Sequence, residues 1–488
     1  MDGLMKPLRP LPLSPSQYGI GTDIPMRANE LPGMAGVLMR DLFKKGAGKV
    51  LFPAENGLEA IRRHTEASLK RVDMSMIKRG DSVNVLGSHH SFTLMGGLPY
   101  VEMIKTVKEV VEERTGVKDI RFVLGVGLRF REAEEYIKRF GLDDYFQGKA
   151  CGMAPIDRGI PIKTAIGTIY GLKKPYEADW IIHTHNTDIR EAYCHRMVDR
   201  IIKPFAMAYA RVETRAAYHY NFGPRAANFI ARAIFESDLV KSKFAFSTIL
   251  KVFPLGITGI DSDNDLLALN DRTVVEALVH YGKVVTLLGK IPDCIAILDC
   301  PAPIPYNFGG GVIFCNFLSA NIDQFDLDIP ATPYSLYSER SFSRDDEPLY
   351  SGVTRINPAI KMIVNNYSFK GFPSSFFAQQ VPTVVVGDKM ARLFNGCPQN
   401  PEYMSYAMKA ESLQGAIKFA YRSAGTRKVI IFDGAMGGLN GSAELIRFLL
   451  DNAPRVEEDV ERELLPKWLR QRGLSVDLLD KMGLREPS

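Results

Sequence analysis

A chain of 488 residues is long enough for two or three domains of ordinary size. Hydrophobic residues make up 46% and charged residues 24%, a balance that excludes a disordered or collagen-like chain. Lys plus Arg number 61 and Asp plus Glu 56, a formal net charge of +5 with no concentrated basic run, so no nucleic-acid partner is expected.

The first 50 residues are rich in Pro and Gly and read as an arm that wraps the body. Met1 to Gln17 carries four prolines and no apolar stretch, so no secretory leader is expected there. Six cysteines are too few for a disulfide scaffold at this length, and a reducing cytoplasm is the expected compartment. The uncharged stretch Cys300 to Ile322 is long enough to span a bilayer. It holds three prolines and three glycines, so it reads as buried loop and strand, and no membrane partner is expected.

Beyond the arm, apolar strand-like runs alternate with amphipathic helices. Asn84-Val85-Leu86, Ile120 to Val126 and Trp180 to His183 read as strands. Tyr100 to Arg114 and Glu132 to Phe140 read as helices, the second closed by Gly141. This alternation predicts parallel sheet with crossover helices. Near residue 255, Pro254, Gly256, Gly259 and aspartates 261, 263 and 265 resemble a linker. Past it, Lys283 to Leu288, Cys294 to Leu298, Thr383 to Gly387 and Lys428 to Phe432 read as strands, 325–357 as a long loop, and the chain from Arg455 as helical. The expectation is an α/β fold: an arm at 1–50, α/β domains at 51–255 and 256–453, both with mainly parallel sheets, and a helical tail at 454–488.

Five of the eight histidines fall between residues 89 and 195, at expected strand ends or in the loops that follow. Ligands of open α/β sheets bind outside the carboxyl ends of strands, so this placement marks a candidate site. His89 and His90 follow one strand. His183 and His185 end another, and residues two apart on a strand face the same way, so the two could share a metal such as zinc or iron. They could equally cap strand ends or bond backbone. Gly434, Gly437, Gly438 and Gly441 follow a strand and precede an expected helix. That arrangement could cradle phosphate or be a plain turn. No Ser nucleophile elbow, HExxH or CxxC pair is present.

Several segments, in order over about residues 80–450, resemble the nickel-dependent lactate racemase family. Lys203 and His219 stand sixteen residues apart, as do that family's cofactor lysine and nickel-binding histidine, and His195 precedes the lysine as its acid/base histidine does. Gly127-Leu128-Arg129 followed by Glu132, Glu134 and Glu135 looks like the family's Gly-Thr-His-Arg stretch, with Leu128 in place of the histidine. Ser88-His89-His90-Ser91 stands where the family has Asp-x-Thr-Arg, and either histidine could supply the missing base. Gly396-Cys397-Pro398 through Met408-Lys409-Ala410 looks like the family's substrate-lysine stretch, with Tyr406 at its glutamine position.

The resemblance implies two α/β domains and a racemase or epimerase of a 2-hydroxy acid. Lys203 would tether a nickel-pincer nucleotide and His219 would bind nickel. His89, His90 or His195 would move protons, and Arg129, Lys409 and Tyr406 would hold a small carboxylate substrate. Two other readings keep the fold: a metal held by His183 and His185 doing hydrolase or lyase chemistry, or a non-catalytic metabolite-binding protein using the loop at Gly434. A homodimer is compatible with the sequence.

Overall fold

The computed structural model describes residues 4–9, 26–45, 49–93, 97–126, 132–189, 198–218, 228–300, 317–318, 325–329, 356–368, 375–396, 402–435 and 437–484. Its strands in chain order are β1 (Met34–Leu38), β2 (Ser82–Ser88), β3 (Asp119–Gly125), β4 (Ala150–Met153), β5 (Gly159–Thr164), β6 (Gly167–Leu172), β7 (Trp180–Asn186), β8 (Phe244–Phe253) and β9 (Gly256–Asp263). β10 (Cys294–Cys300), β11 (Ile360–Ser368), β12 (Thr383–Val386), β13 (Met408–Ala410), β14 (Val429–Phe432) and β15 (Gly438–Ser442) complete the set. They form two large sheets and the small β5–β6 ribbon, a mainly parallel α/β architecture with helices at the C-terminal end.

The first sheet runs β4-β3-β2-β7-β8-β9, parallel except for the β8–β9 hairpin. One face packs on the helices Gly57–Leu69 and Leu98–Thr115 through Val83, Val85, Ile104 and Val107. The other packs on the segments 201–218 and 230–235 through Leu86, Ile181, Phe205 and Tyr209. Covered on both faces, β2, β3 and β7 are buried at nearly every position, polar residues such as Asn84, His183 and His185 included.

The second sheet runs β1-β15-β14-β10-β11-β12-β13, with its five strands from β14 to β13 parallel. Ile295 and Ile297 face the helix Leu413–Ala424, while Ala296 and Leu298 face the C-terminal helices, the alternation of a strand covered on both sides.

Two expectations need correction. The stretch near 261 is not a linker: Asp261 and Asp263 lie on β9, paired to β8. Asp261 and Asp263 hold Arg272, and such charges guard the edge of a sheet. Lys283 to Leu288 is not a strand but the last part of the helix Leu266–Leu288. Asp265 caps that helix by accepting from the amides of Leu267 and Ala268 at 2.9 and 3.0 Å. It packs against β8 and β9 and against the C-terminal helices, so it is apolar nearly all round and its period is hidden. The segment after 453 is helical, as expected, and its Val460, Leu465, Trp468 and Leu479 share one core with β10 and that helix. Within the first 50 residues, β1 pairs antiparallel with β15 inside the second sheet.

Cys300 ends β10 in a buried position, and most of the stretch that follows it, like most of 325–357, lies outside the described residues. No helix among the described residues is long and apolar enough to cross a membrane.

Candidate active site at the strand reversal

In the first sheet the chain passes from β2 outward to β3 and β4, then returns to place β7 on the other side of β2. The carboxyl ends of β2 and β7 therefore flank the point where strand order reverses. In open α/β sheets this point opens a crevice for ligands. His89, His90 and Ser91 form the turn directly after β2, and His183, His185 and Asn186 end β7. All six are buried.

Every side chain here is tied down. The rings of His89 and His90 are 4.0 Å apart at 60°. Asp188 N–H donates to Asn186 Oδ1 at 3.0 Å, Asn186 Nδ2 donates to Ser91 Oγ at 2.8 Å, and Ser91 Oγ lies 3.1 Å from His185 Nδ1. Arg200 Nη2 donates to His90 Nδ1 at 3.1 Å. Its neighbour Asp199 accepts from Arg232 Nη2 and from Asn270 Nδ2, each at 2.9 Å, which anchors that turn to two helices.

His183 behaves differently from its strand neighbour. Its Nδ1 is 2.9 Å from Ser247 Oγ on β8, and its ring packs on Phe205 and Tyr209. Burial pulls its pKa down to about 3, so the ring is neutral. The rings of His183 and His185 are 6.0 Å apart at 65°. Among the described residues no group of three or more His, Cys, Asp or Glu side chains is placed to hold a metal.

Lys203 opens the short helix Lys203–Ala206 and is 2% exposed. Its Nζ lies 5.6 Å from the centre of the Tyr218 ring, a cation–π arrangement. The chain thus folds back between Lys203 and Tyr218, fifteen residues on. Arg215 lies on the helix Val212–Tyr218 that ends in Tyr218. Its guanidinium donates to the carbonyls of Ala210 (2.8 Å), Val126 (2.7 Å) and Ala208 (3.3 Å), and burial pulls its pKa down to about 9.

His195, His219 and Arg129 lie outside the described residues. The described residues that precede them, Ile189, Tyr218 and Val126, are all buried. Lys409 and Tyr406 belong elsewhere, at the outer edge of the second sheet. Lys409 lies on edge strand β13, half exposed and 2.6 Å from Asp388, beside a cavity of about 520 Å³ that Arg392 and Asn395 also line. The reading of Gly434 and Gly437 as a strand-to-helix phosphate turn is corrected. Both have positive φ, +78° and +74°, in a turn that leads from β14 into the antiparallel strand β15. The next helix begins only after Ser442, and a Cβ on Gly437 would lie 2.9 Å from the Leu255 carbonyl.

Sequence reasoning did not single out Arg200, Asn186 or Arg215. It also passed over the second sheet's own reversal, between β10 and β14. There Asp299 accepts from Arg27 Nε and Ala28 N–H, both at 2.9 Å, and from Asn366 Nδ2 at 2.8 Å. Asp433 accepts from Ala435 N–H at 2.9 Å and Asn440 Nδ2 at 2.7 Å. Burial raises both carboxyls, that of Asp433 to about 6. The only cheap signal was position, since each Asp stands at or just beyond the end of an apolar strand.

Fold and site together define an α/β protein of two large, mainly parallel sheets with a buried, histidine-rich crevice at the reversal of the first. No protein-family model matches the chain, and no curated protein matches it. Among solved structures, the lactate racemase apoprotein from Thermoanaerobacterium thermosaccharolyticum is similar to it with a TM-score of 0.42 and 12% identity, over 77% of this chain and 92% of that one.

Proposed function

We propose that this chain is a racemase or epimerase of a 2-hydroxy acid, working at the β2–β7 reversal with a nickel-pincer nucleotide tethered to Lys203. The observation that carries the proposal is the burial of Lys203 against Tyr218, at the edge where the histidines of β2 and β7 converge. A buried amine beside the segment that bears His219 fits a tethered group that also needs an imidazole donor. Bound there, such a group supplies a hydride acceptor for the substrate's alpha carbon.

The chain's own residues do the rest. Lys203 is the covalent anchor and His219 the donor to nickel. Arg129 holds the substrate carboxylate through paired N–H groups. A histidine of the set His89, His90 and His195 takes the hydroxyl proton as the alpha hydrogen leaves and gives it back afterwards. Burial of the crevice keeps water from the reacting carbon.

Peptide mass spectrometry and elemental analysis of protein from its native source test this. The expected result is a heavy adduct on the Lys203 peptide with about one nickel per chain, both lost in Lys203→Ala. An unmodified Lys203 without nickel refutes the reading, and stoichiometric zinc or iron without an adduct replaces it with a directly bound metal.

A further inference from the structure

We propose that the cavity at the outer edge of the second sheet is a binding site for a small carboxylate, with Arg392 as its anchor. The site uses nothing from the first reversal, so it stands apart from the racemase reading.

The cavity has a volume of about 520 Å³ and lies between one helix and one edge strand. The helix is Gly387–Asn395, which leaves β12 through Gly387 at a φ of +77°. Asp388, Ala391, Arg392 and Asn395 stand at positions i, i+3, i+4 and i+7 and so share the side that lines the cavity. Elsewhere the helix is packed: Phe394 stacks on Tyr403 with ring centres 4.2 Å apart at 22°. Tyr403 is fully buried, and its hydroxyl lies 3.5 Å from Asn365 Nδ2 on β11. This stack pins the turn Tyr403–Tyr406, which supplies Ser405 to the lining, against the helix. Lys409 is set in register beside Val385 of β12. Both walls therefore stand on regular, packed elements, as a preformed site requires.

The charges of the lining leave one cation over. Lys409 and Asp388, one from each wall, pair at 2.6 Å. Asp388 is the lining's one acid among the described residues, so that pair is neutral as a unit. Arg392 is the second cation. Among the described residues its guanidinium forms no hydrogen bond and no ion pair, and the side chains of Asn395 and Ser405 form no hydrogen bond.

A guanidinium with two neutral donors near it matches a single negative charge. Its fork offers two parallel N–H groups, the geometry that a carboxylate accepts. Asn395 adds an amide N–H and Ser405 an O–H. Ala391, Ala407 and Met404 give the rest of the lining methyl and thioether surface, which suits a short apolar chain behind the carboxylate. A phosphate dianion would ask for a second cation, and that one is already held by Asp388. Arg392 is exposed, so water competes for it and a Kd on the order of 1 mM is expected.

The test is methyl NMR on the full-length chain with methionine labelled with ¹³C at its methyl group, Met404 being assigned with Met404→Leu. Butyrate is the probe, titrated against sodium chloride at equal ionic strength. The expected result is a saturable shift of the Met404 methyl that chloride does not produce. Arg392→Gln should weaken that binding about fivefold. The buried methyls of Met103 and Met362, one in each sheet's core, should keep their positions in the variant and so report an intact fold. Inorganic phosphate should bind less tightly than butyrate, and 1-butanol should give no saturable shift. No saturable response to butyrate overturns the site. Equal binding in Arg392→Gln overturns the anchor. An equal response to phosphate or to butanol overturns the carboxylate class. Mass spectrometry at Lys203 and this titration have independent outcomes.

Discussion

Removing the guanidinium of Arg27 should destabilise the second domain markedly at neutral pH and much less in mild acid. Arg27 reaches from the arm to Asp299, whose carboxylate is fully buried at the β10–β14 reversal. Arg27→Ala removes the Nε bond to Asp299 Oδ2 and the Nη2 bond to its backbone carbonyl. The Ala28 amide and Asn366 remain. Taking one partner from a buried ion pair costs about 3–5 kcal/mol. The Arg27 side chain is 28% exposed, so we expect the lower end, about 3 kcal/mol. Burial already raises the Asp299 pKa, and loss of the arginine raises it further. A carboxyl whose folded pKa lies above its unfolded value binds protons more tightly in the folded state. Stability therefore falls as pH rises through that window and recovers as pH falls. Urea unfolding of a Trp180→Phe background, which leaves Trp468 in the second domain's core as the only tryptophan, is the assay. The deficit should shrink as pH falls and Asp299 takes up a proton. In an Asp299→Asn background Arg27→Ala should cost less than about 1 kcal/mol, since no buried charge is left alone. An equal loss in both backgrounds, or one independent of pH, would refute the reasoning.

Three further outcomes are expected. Asp433, raised to about 6 from an ordinary 3.8, makes the folded state lose stability as pH rises from about 4 to 6. Urea titration should therefore show Asp433→Asn gaining on wild type by on the order of 3 kcal/mol between pH 4 and 7. Arg215→Lys, measured the same way, should cost about 2–4 kcal/mol, because one ammonium cannot reach all of the buried carbonyls that the guanidinium serves. Gly125→Ala should cost about 1–3 kcal/mol in the first domain, since its Cβ would collide with the Ala208 carbonyl. Trp180 fluorescence reports that loss.

Legibility of the fold followed burial. β2, β3, β7, β10, β12 and β14 are short apolar runs between turn signals, and the sequence pattern places each within a few residues. The helix Leu266–Leu288 was misread because both of its sides are covered, which leaves Lys283 to Leu288 as apolar as any strand. The aspartates of β9 were misread because edge charges and linker charges look alike in one dimension. At the site, His89, His90, His183 and His185 were legible from their place at strand ends. Arg200 was not, because its meaning depends on a histidine 110 residues earlier. Ser91 and Asn186 were hidden for the same reason, being 95 residues apart and joined only by the reversal itself.

Each sheet reverses strand order once and so opens one crevice at its carboxyl edge, yet the two are put to different uses. In the second sheet the buried acids at that edge are met by the protein itself. Arg27, Ala28, Asn366, Asn440 and Ala435 supply the donors that a ligand would otherwise bring, and Leu8 braces Asn440 through both its amide and its carbonyl. The arm thus sits where a ligand would, and its removal should cost stability. In the first sheet the same position gathers imidazoles instead of acids, and they are tied to the strand ends and the neighbouring turn: His90 to Arg200, and His185 through Ser91 to Asn186. The arm does not reach that edge with a donor of its own among the described bonds, so the two reversals differ in what meets their buried polar groups.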